Sequence, residues 1–101
     1  MKRRPLRAFK IYRKGYLMEV KIYKVPLSSK NPYGYRFRCF MVDPSRGEEL
    51  VGYDNHWPKG SHRHFLGREE PYEFRDILTL LEDFEKDCRR ILKEVEKDET
   101  A

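Results

Sequence analysis

No stretch of this chain is long and apolar: the longest run free of polar residues is about Cys39-Phe40-Met41-Val42. A bilayer-spanning helix needs roughly 20 such residues, so no membrane association is expected. The basic start Met1-Lys2-Arg3-Arg4 has no apolar segment behind it, because Lys10, Arg13 and Lys14 interrupt. That pattern argues against a secretory signal peptide, and the expected location is cytoplasmic. Cysteine is scarce. Cys39 and Cys88 are too few for a disulfide framework in a chain able to build an apolar core, and both are expected as buried thiols. Glutamine is absent, and asparagine occurs only as Asn31 and Asn55, beside abundant Lys, Arg and Glu. That balance matches hyperthermophile compositions and points to a hot habitat.

What is present is charge and aromatic surface. The 101 residues suffice for one domain over residues 1–101, with a basic sheet region about 5–67 and a helix about 76–97. Aromatic residues at 14% are too many for a disordered chain. The net charge of +5 conceals a split: residues 1–46 carry 13 Lys/Arg against only Glu19 and Asp43, and residues 47–101 carry 9 against 15 acids. A basic half interleaved with Phe9, Tyr12, Tyr16, Tyr23, Tyr33, Tyr35 and Phe37 suits a surface that faces nucleic acid. The same alternation also arises when Lys and Arg solvate one side of a half-buried sheet whose aromatics fill the other.

Two alternating segments, Leu6 to Arg13 and Tyr16 to Val25, flank a Lys14-Gly15 turn. Residues 26–32 form a proline-bounded loop. Tyr33 to Asp43 is the clearest strand, with Tyr35, Phe37, Cys39 and Met41 on one side and Arg36 and Arg38 on the other. Pro44-Ser45-Arg46-Gly47 turns back into Glu48 to Asp54. A further short strand is expected over His62 to Gly67, and Pro71 is expected to end pairing. From Asp76 the apolar period changes to three and four through Ile77, Leu80, Leu81, Phe84, Cys88, Ile91, Leu92 and Val95, an amphipathic helix with Asp76 as N-cap. The expected fold is therefore α+β: an antiparallel sheet of four to five strands with one long C-terminal helix packed on one face.

Chemistry concentrates between Asp54 and Tyr72, which holds all three histidines. If His62 to Arg68 is extended, His62, His64 and Arg68 share one face and Arg63 and Phe65 the other. Imidazoles near neutrality suit the two proton transfers of RNA cleavage, and a guanidinium suits the charged transition state. Candidate catalytic residues are His62, His64 and Arg68, with Glu69 or Tyr72 able to supplement or replace a histidine. Arg36, Arg38, Lys59 and Arg63 are candidate nucleic-acid contacts. That reading is metal-independent and requires no cofactor.

Two alternatives stand beside it. His62-x-His64 followed by Glu69 is similar to the first cupin motif, and His56 or Asp54 could complete a zinc or nickel set, although no second histidine motif exists. Alternatively, Arg63, Arg68, Glu69, Glu70 and Glu73 form an ion-pair network, Tyr72 and Phe74 clasp the helix to the sheet, and the protein binds without catalysis.

The pieces Gly52-Tyr53-Asp54-Asn55, His62-Arg63-His64, Arg68-Glu69-Glu70-Pro71-Tyr72-Glu73-Phe74 and Leu80-Leu81-Glu82-Asp83-Phe84 resemble the TumE-type family. The resemblance covers roughly the second half of the chain in motif terms. It implies a toxin component of a prokaryotic toxin–antitoxin pair, with a cognate antitoxin, often bearing a helix-turn-helix, as partner; RNA as a target is expected from the basic half and the histidine cluster instead. An exposed strand edge in so small a sheet could pair with an antitoxin segment or with a second copy in a homodimer.

Overall fold

Alternation of apolar and charged residues dictates strands through the first two thirds of the chain, and a period near 3.6 dictates one helix in the last third. The computed structural model describes residues 4–100, with side chains to residue 95; Met1-Lys2-Arg3 of the basic start lie outside the described residues. In chain order the elements are β1 (Arg7–Arg13), β2 (Tyr16–Lys24), β3 (Tyr35–Asp43), β4 (Glu48–Asp54), β5 (His62–Phe65), β6 (Arg68–Pro71) and α1 (Ile77–Thr100). The strands form one antiparallel meander in the order β1-β2-β3-β4-β5-β6.

The sheet has six strands rather than the four to five expected. The extra strand arises at Leu66-Gly67, where φ values of 48° and 84° make a two-residue turn with both central residues left-handed. Lys14 and Gly15, at 52° and 84°, use the same geometry between β1 and β2. The first turn is announced by its residues; the second is disguised by an apolar residue in a conformation that favours Asn or Gly. β6 is the strand not expected; it ends at Pro71, opposite His62, so Pro71 closes the pairing as expected. Its missing N–H is tolerated at a sheet edge, and the next residue resumes bonding, with Tyr72 N–H donating to the Ser61 carbonyl at 3.1 Å.

The helix begins at Ile77 because Asp76 caps it: its Oδ1 accepts from the Thr79 N–H at 2.7 Å, and its carbonyl takes the first helical bond from Leu80 at 3.1 Å. Helical backbone continues to Thr100, beyond the expected end near residue 97. The helix lies against β3 and β4. Val20, Ile22, Phe37, Cys39, Met41 and Val51 of the sheet are buried with Leu80, Phe84, Cys88 and Ile91 of the helix. Each large apolar side chain enclosed this way contributes about 1.5–3 kcal/mol. Phe74 anchors the helix approach by stacking on Phe37, ring centroids 5.2 Å apart. The helix does not reach across β1, all of whose residues are exposed, Phe9 and Ile11 included.

One charged pair enters the layer between sheet and helix. Asp87 of α1 accepts from Arg63 Nε at 2.7 Å and Nη2 at 2.9 Å, and from the Tyr53 hydroxyl at 2.6 Å. Arg63 also reaches Glu70 at 2.5 Å. Among the described residues no helix or strand covers the opposite side of the sheet. No helix here is long and apolar enough to cross a membrane.

Candidate functional site

Residues directly opposite on paired antiparallel strands point to the same side. The register therefore draws two rows of side chains across the face away from the helix. One runs Ala8, Lys21, Arg38, Asp54, His62, Pro71; the next runs Lys10, Glu19, Phe40, Gly52, His64, Glu69. Charge is graded along these rows. Basic groups dominate over β1 to β3, and the imidazole–carboxylate cluster occupies β4 to β6.

Where β4 ends, Asn55 replaces strand pairing with side-chain bonds. Its Oδ1 accepts from the Phe37 N–H at 2.9 Å, and its Nδ2 donates to the Tyr35 carbonyl at 2.7 Å. The buried amide thus launches the following loop from a fixed point. His56 leaves it against Arg36, whose Nη2 sits 2.6 Å from Nε2 of the ring. Arg38 lies over the Phe40 ring, 5.0 Å from its centroid. Among the described residues neither Arg36 nor Arg38 has a carboxylate partner. A depression of about 170 Å³ is lined by Lys21, Tyr23, Arg36, Arg38 and His56. Glu19 is buried on this open face and holds Lys21 at 3.2 Å and Lys10 at 3.6 Å.

At the other end, His62 Nδ1 donates to the Gly60 carbonyl at 2.9 Å. Its Nε2 faces Asp54 Oδ1 at 3.2 Å and Glu69 Oε1 at 3.8 Å. The His64 ring meets that of His62 edge-on, with centroids 5.1 Å apart. Its Nε2 lies 3.9 Å from the same Glu69 oxygen. Lys59 Nζ reaches that oxygen at 2.9 Å. This bond to the ammonium holds the Glu69 carboxyl below its ordinary range and raises Lys59 above its own. The His62 side chain is only 10% exposed and that of His64 is 30% exposed, so His64 is the more accessible imidazole.

The structure thus gathers His62, His64, Glu69 and Lys59, with Arg36 and Arg38 on the same face. Arg68 is not among them. The turn at Leu66-Gly67 sets Arg68 opposite Phe65, on the helix side, where an uninterrupted strand would have aligned it with the histidines. Tyr72 also lies on the helix side, its ring edge-on to Tyr53 at 4.9 Å and its hydroxyl donating to Asp83. Burial and then the Asp83 charge push its pKa upward. Arg63 faces away from the histidines as expected, but its guanidinium is held by Asp87 and Glu70 instead of being turned to solvent. Phe74 and Tyr72 clasp helix to sheet, in agreement with the packing alternative.

Sequence reasoning gives no part to Asn55 and Glu19, and weighs Asp54 only as a metal ligand. Scarcity is the available signal. Asn55 is one of two asparagines, and Glu19 is the sole acid before Asp43.

Comparison with known proteins gives one positive finding. The model of the family described as Toxin TumE matches residues 2–92. No curated protein and no solved structure matches significantly.

Proposed function

The chain belongs to the TumE toxin family, and from that premise we propose that it is the toxin of a toxin–antitoxin pair, acting as a metal-independent endoribonuclease on its open sheet face. The observation that carries this reading is the shared face of Arg36, Arg38, Phe40, His62 and His64. Strands are spaced about 4.7–4.9 Å apart, so Arg38 stands roughly 10 Å from His62, between one and two nucleotides along an extended single strand. Lys21, Arg36 and Arg38 take phosphates, and Phe40 offers a ring for a base to stack on. Arg68, Arg63 and Tyr72 have no part in this scheme.

His64, the more accessible imidazole, takes the proton of a ribose 2′-hydroxyl. The 2′-oxygen then bonds to phosphorus, and the bond from phosphorus to the 5′-oxygen breaks. His62 returns a proton to that leaving oxygen, while Lys59 offsets charge on the phosphorane oxygens. Products are a 2′,3′-cyclic phosphate and a 5′-hydroxyl. Glu69 and Asp54 orient the two rings. The protein partner is a cognate antitoxin.

A second reading, RNA or antitoxin binding without cleavage, is favoured by one observation: both nitrogens of the nearly buried His62 ring are already engaged. Incubating chelator-treated protein with RNA and analysing the ends distinguishes them. Cleavage with cyclic-phosphate ends is expected, falling about 100-fold or more in His64→Ala and unchanged in Arg68→Ala. Undiminished cleavage by His64→Ala removes the catalytic proposal, and retention of RNA without products favours the second reading.

A further inference from the structure

His62, His64 and Glu69 present donor atoms that all lie within 4.8 Å of one another. Register puts them there: His64 is directly opposite Glu69, and His62 is directly opposite Asp54 on the other flanking strand. Four donors from three adjacent strands thus occupy one corner of a rigid sheet. From this arrangement we propose that His62, His64 and Glu69, joined by Asp54, bind one borderline divalent transition ion of the zinc class.

The His62 ring supplies the main argument. A carbonyl can only accept, so the 2.9 Å contact with Gly60 places the proton on Nδ1. The lone pair on Nε2 then points at Asp54 Oδ1, 3.2 Å away, with Glu69 Oε1 at 3.8 Å. The outer nitrogen of the ring and the two carboxylate oxygens thus face one another across a single small space, as ligand atoms around one ion do. An imidazole whose other nitrogen donates to a backbone carbonyl is the usual form of a metal-bound histidine, because that bond fixes ring and tautomer together. Asp54 is likewise steadied, by the His56 N–H at 3.2 Å.

Spacing and donor chemistry agree on the ion. Bonds of about 2.0–2.2 Å separate tetrahedral ligand atoms by roughly 3.3–3.6 Å. Neighbouring donors here stand 3.2, 3.8 and 3.9 Å apart; His62, His64 and Glu69 form the compact group, and Asp54 joins it through its contact with His62. Two imidazoles with carboxylates suit zinc, whereas magnesium and calcium prefer oxygen alone. One cation competes already: Lys59 Nζ holds Glu69 Oε1 at 2.9 Å, and the ion must displace it.

Metal binding stands on this geometry alone. Its consequence rests on the cleavage reading above: lone pairs given to zinc are unavailable for proton transfer, so an occupied site is a silenced one. Zinc is the switch.

The test begins with the full chain stripped by chelator, titrated with Zn²⁺ in a calorimeter and with Co²⁺ in the visible spectrum. One equivalent should bind, with the intense absorption of a four-coordinate cobalt site. His64→Ala and Glu69→Gln, both at partly exposed positions, should each weaken binding at least about tenfold, with unchanged circular dichroism. Lys59→Ala should tighten binding severalfold by removing the competing ammonium. No binding by the wild type, or equal binding by wild type and His64→Ala, overturns the site. In a parallel arm, zinc added to stripped protein and RNA should suppress cleavage. Zinc that raises cleavage overturns both the silencing and the metal-free reading. Stripped protein that binds zinc with the stated variant pattern but cuts no RNA overturns the cleavage reading alone. Stripped protein that cuts RNA but binds no zinc overturns the metal site alone.

Discussion

Asp87 of the helix grips Arg63 of β5 at two points, Oδ2 to Nε at 2.7 Å and Oδ1 to Nη2 at 2.9 Å. The pair ties the late strands to the helix, so the scaffold of the open face depends on a bond made behind it. Asp87→Ala leaves the guanidinium and the Tyr53 hydroxyl without their buried acceptor. The expected loss is about 2–4 kcal/mol, somewhat below that for a fully buried pair because Arg63 keeps partial solvent contact. Urea denaturation measures it. A loss below about 0.5 kcal/mol, the level of an exposed pair, contradicts the role assigned to this contact.

Phosphate binding on the open face predicts a particular salt response. Removing Arg38 should weaken single-stranded RNA binding and flatten the slope of log K against log salt by about 0.7 for each phosphate left without its cation. Arg68→Ala, on the other side, should leave that slope alone. Filter-binding titrations over a salt series read both.

The helix cap carries a pH signature. The Thr79 N–H bond holds the Asp76 carboxyl below its ordinary range, so its contribution is present above the unfolded pKa and is lost as pH falls through the folded one. Asp76→Ala should melt several degrees lower at pH 7, and the difference from wild type should narrow on acidification below pH 4 or so. A gap that widens in acid contradicts the cap.

Both thiols are sealed. Burial pushes Cys39 and Cys88 up to about 12, so neither forms the reactive thiolate near neutrality. Native protein should resist alkylation at pH 7.5, with two sites reacting at once in denaturant. Fast modification of one cysteine in native protein would mean that the helix does not seal the sheet.

Leu66 occupies a left-handed position, φ 48°, with its side chain largely in solvent. Leu66→Asn supplies the preferred Asn-Gly pair for this turn and buries nothing less. It should stabilise by about 0.5–1 kcal/mol, read as a higher denaturation midpoint. A lower midpoint would argue that β6 does not follow β5 through this turn.

Which residues lie together on each long strand, and where the helix starts, can be read from the order of residues without any partner. Alternation fixes the sides of Met18, Val20, Ile22, Phe37, Cys39 and Met41, and Asp76 caps through its own next turn. The His62, His64 and Glu69 grouping is legible too, because the three sit within eight residues of one another. The roles of their neighbours emerge from the folded arrangement instead. A two-residue turn reverses the chain after Phe65, and a side assigned by counting along one strand does not survive such a reversal; Arg68 changes faces for that reason. Arg63 cannot be separated from the other arginines without the helix, since Asp87 meets it from 24 residues away. Local rules set direction along an element. Partners across elements are set by register and packing, which no single segment encodes.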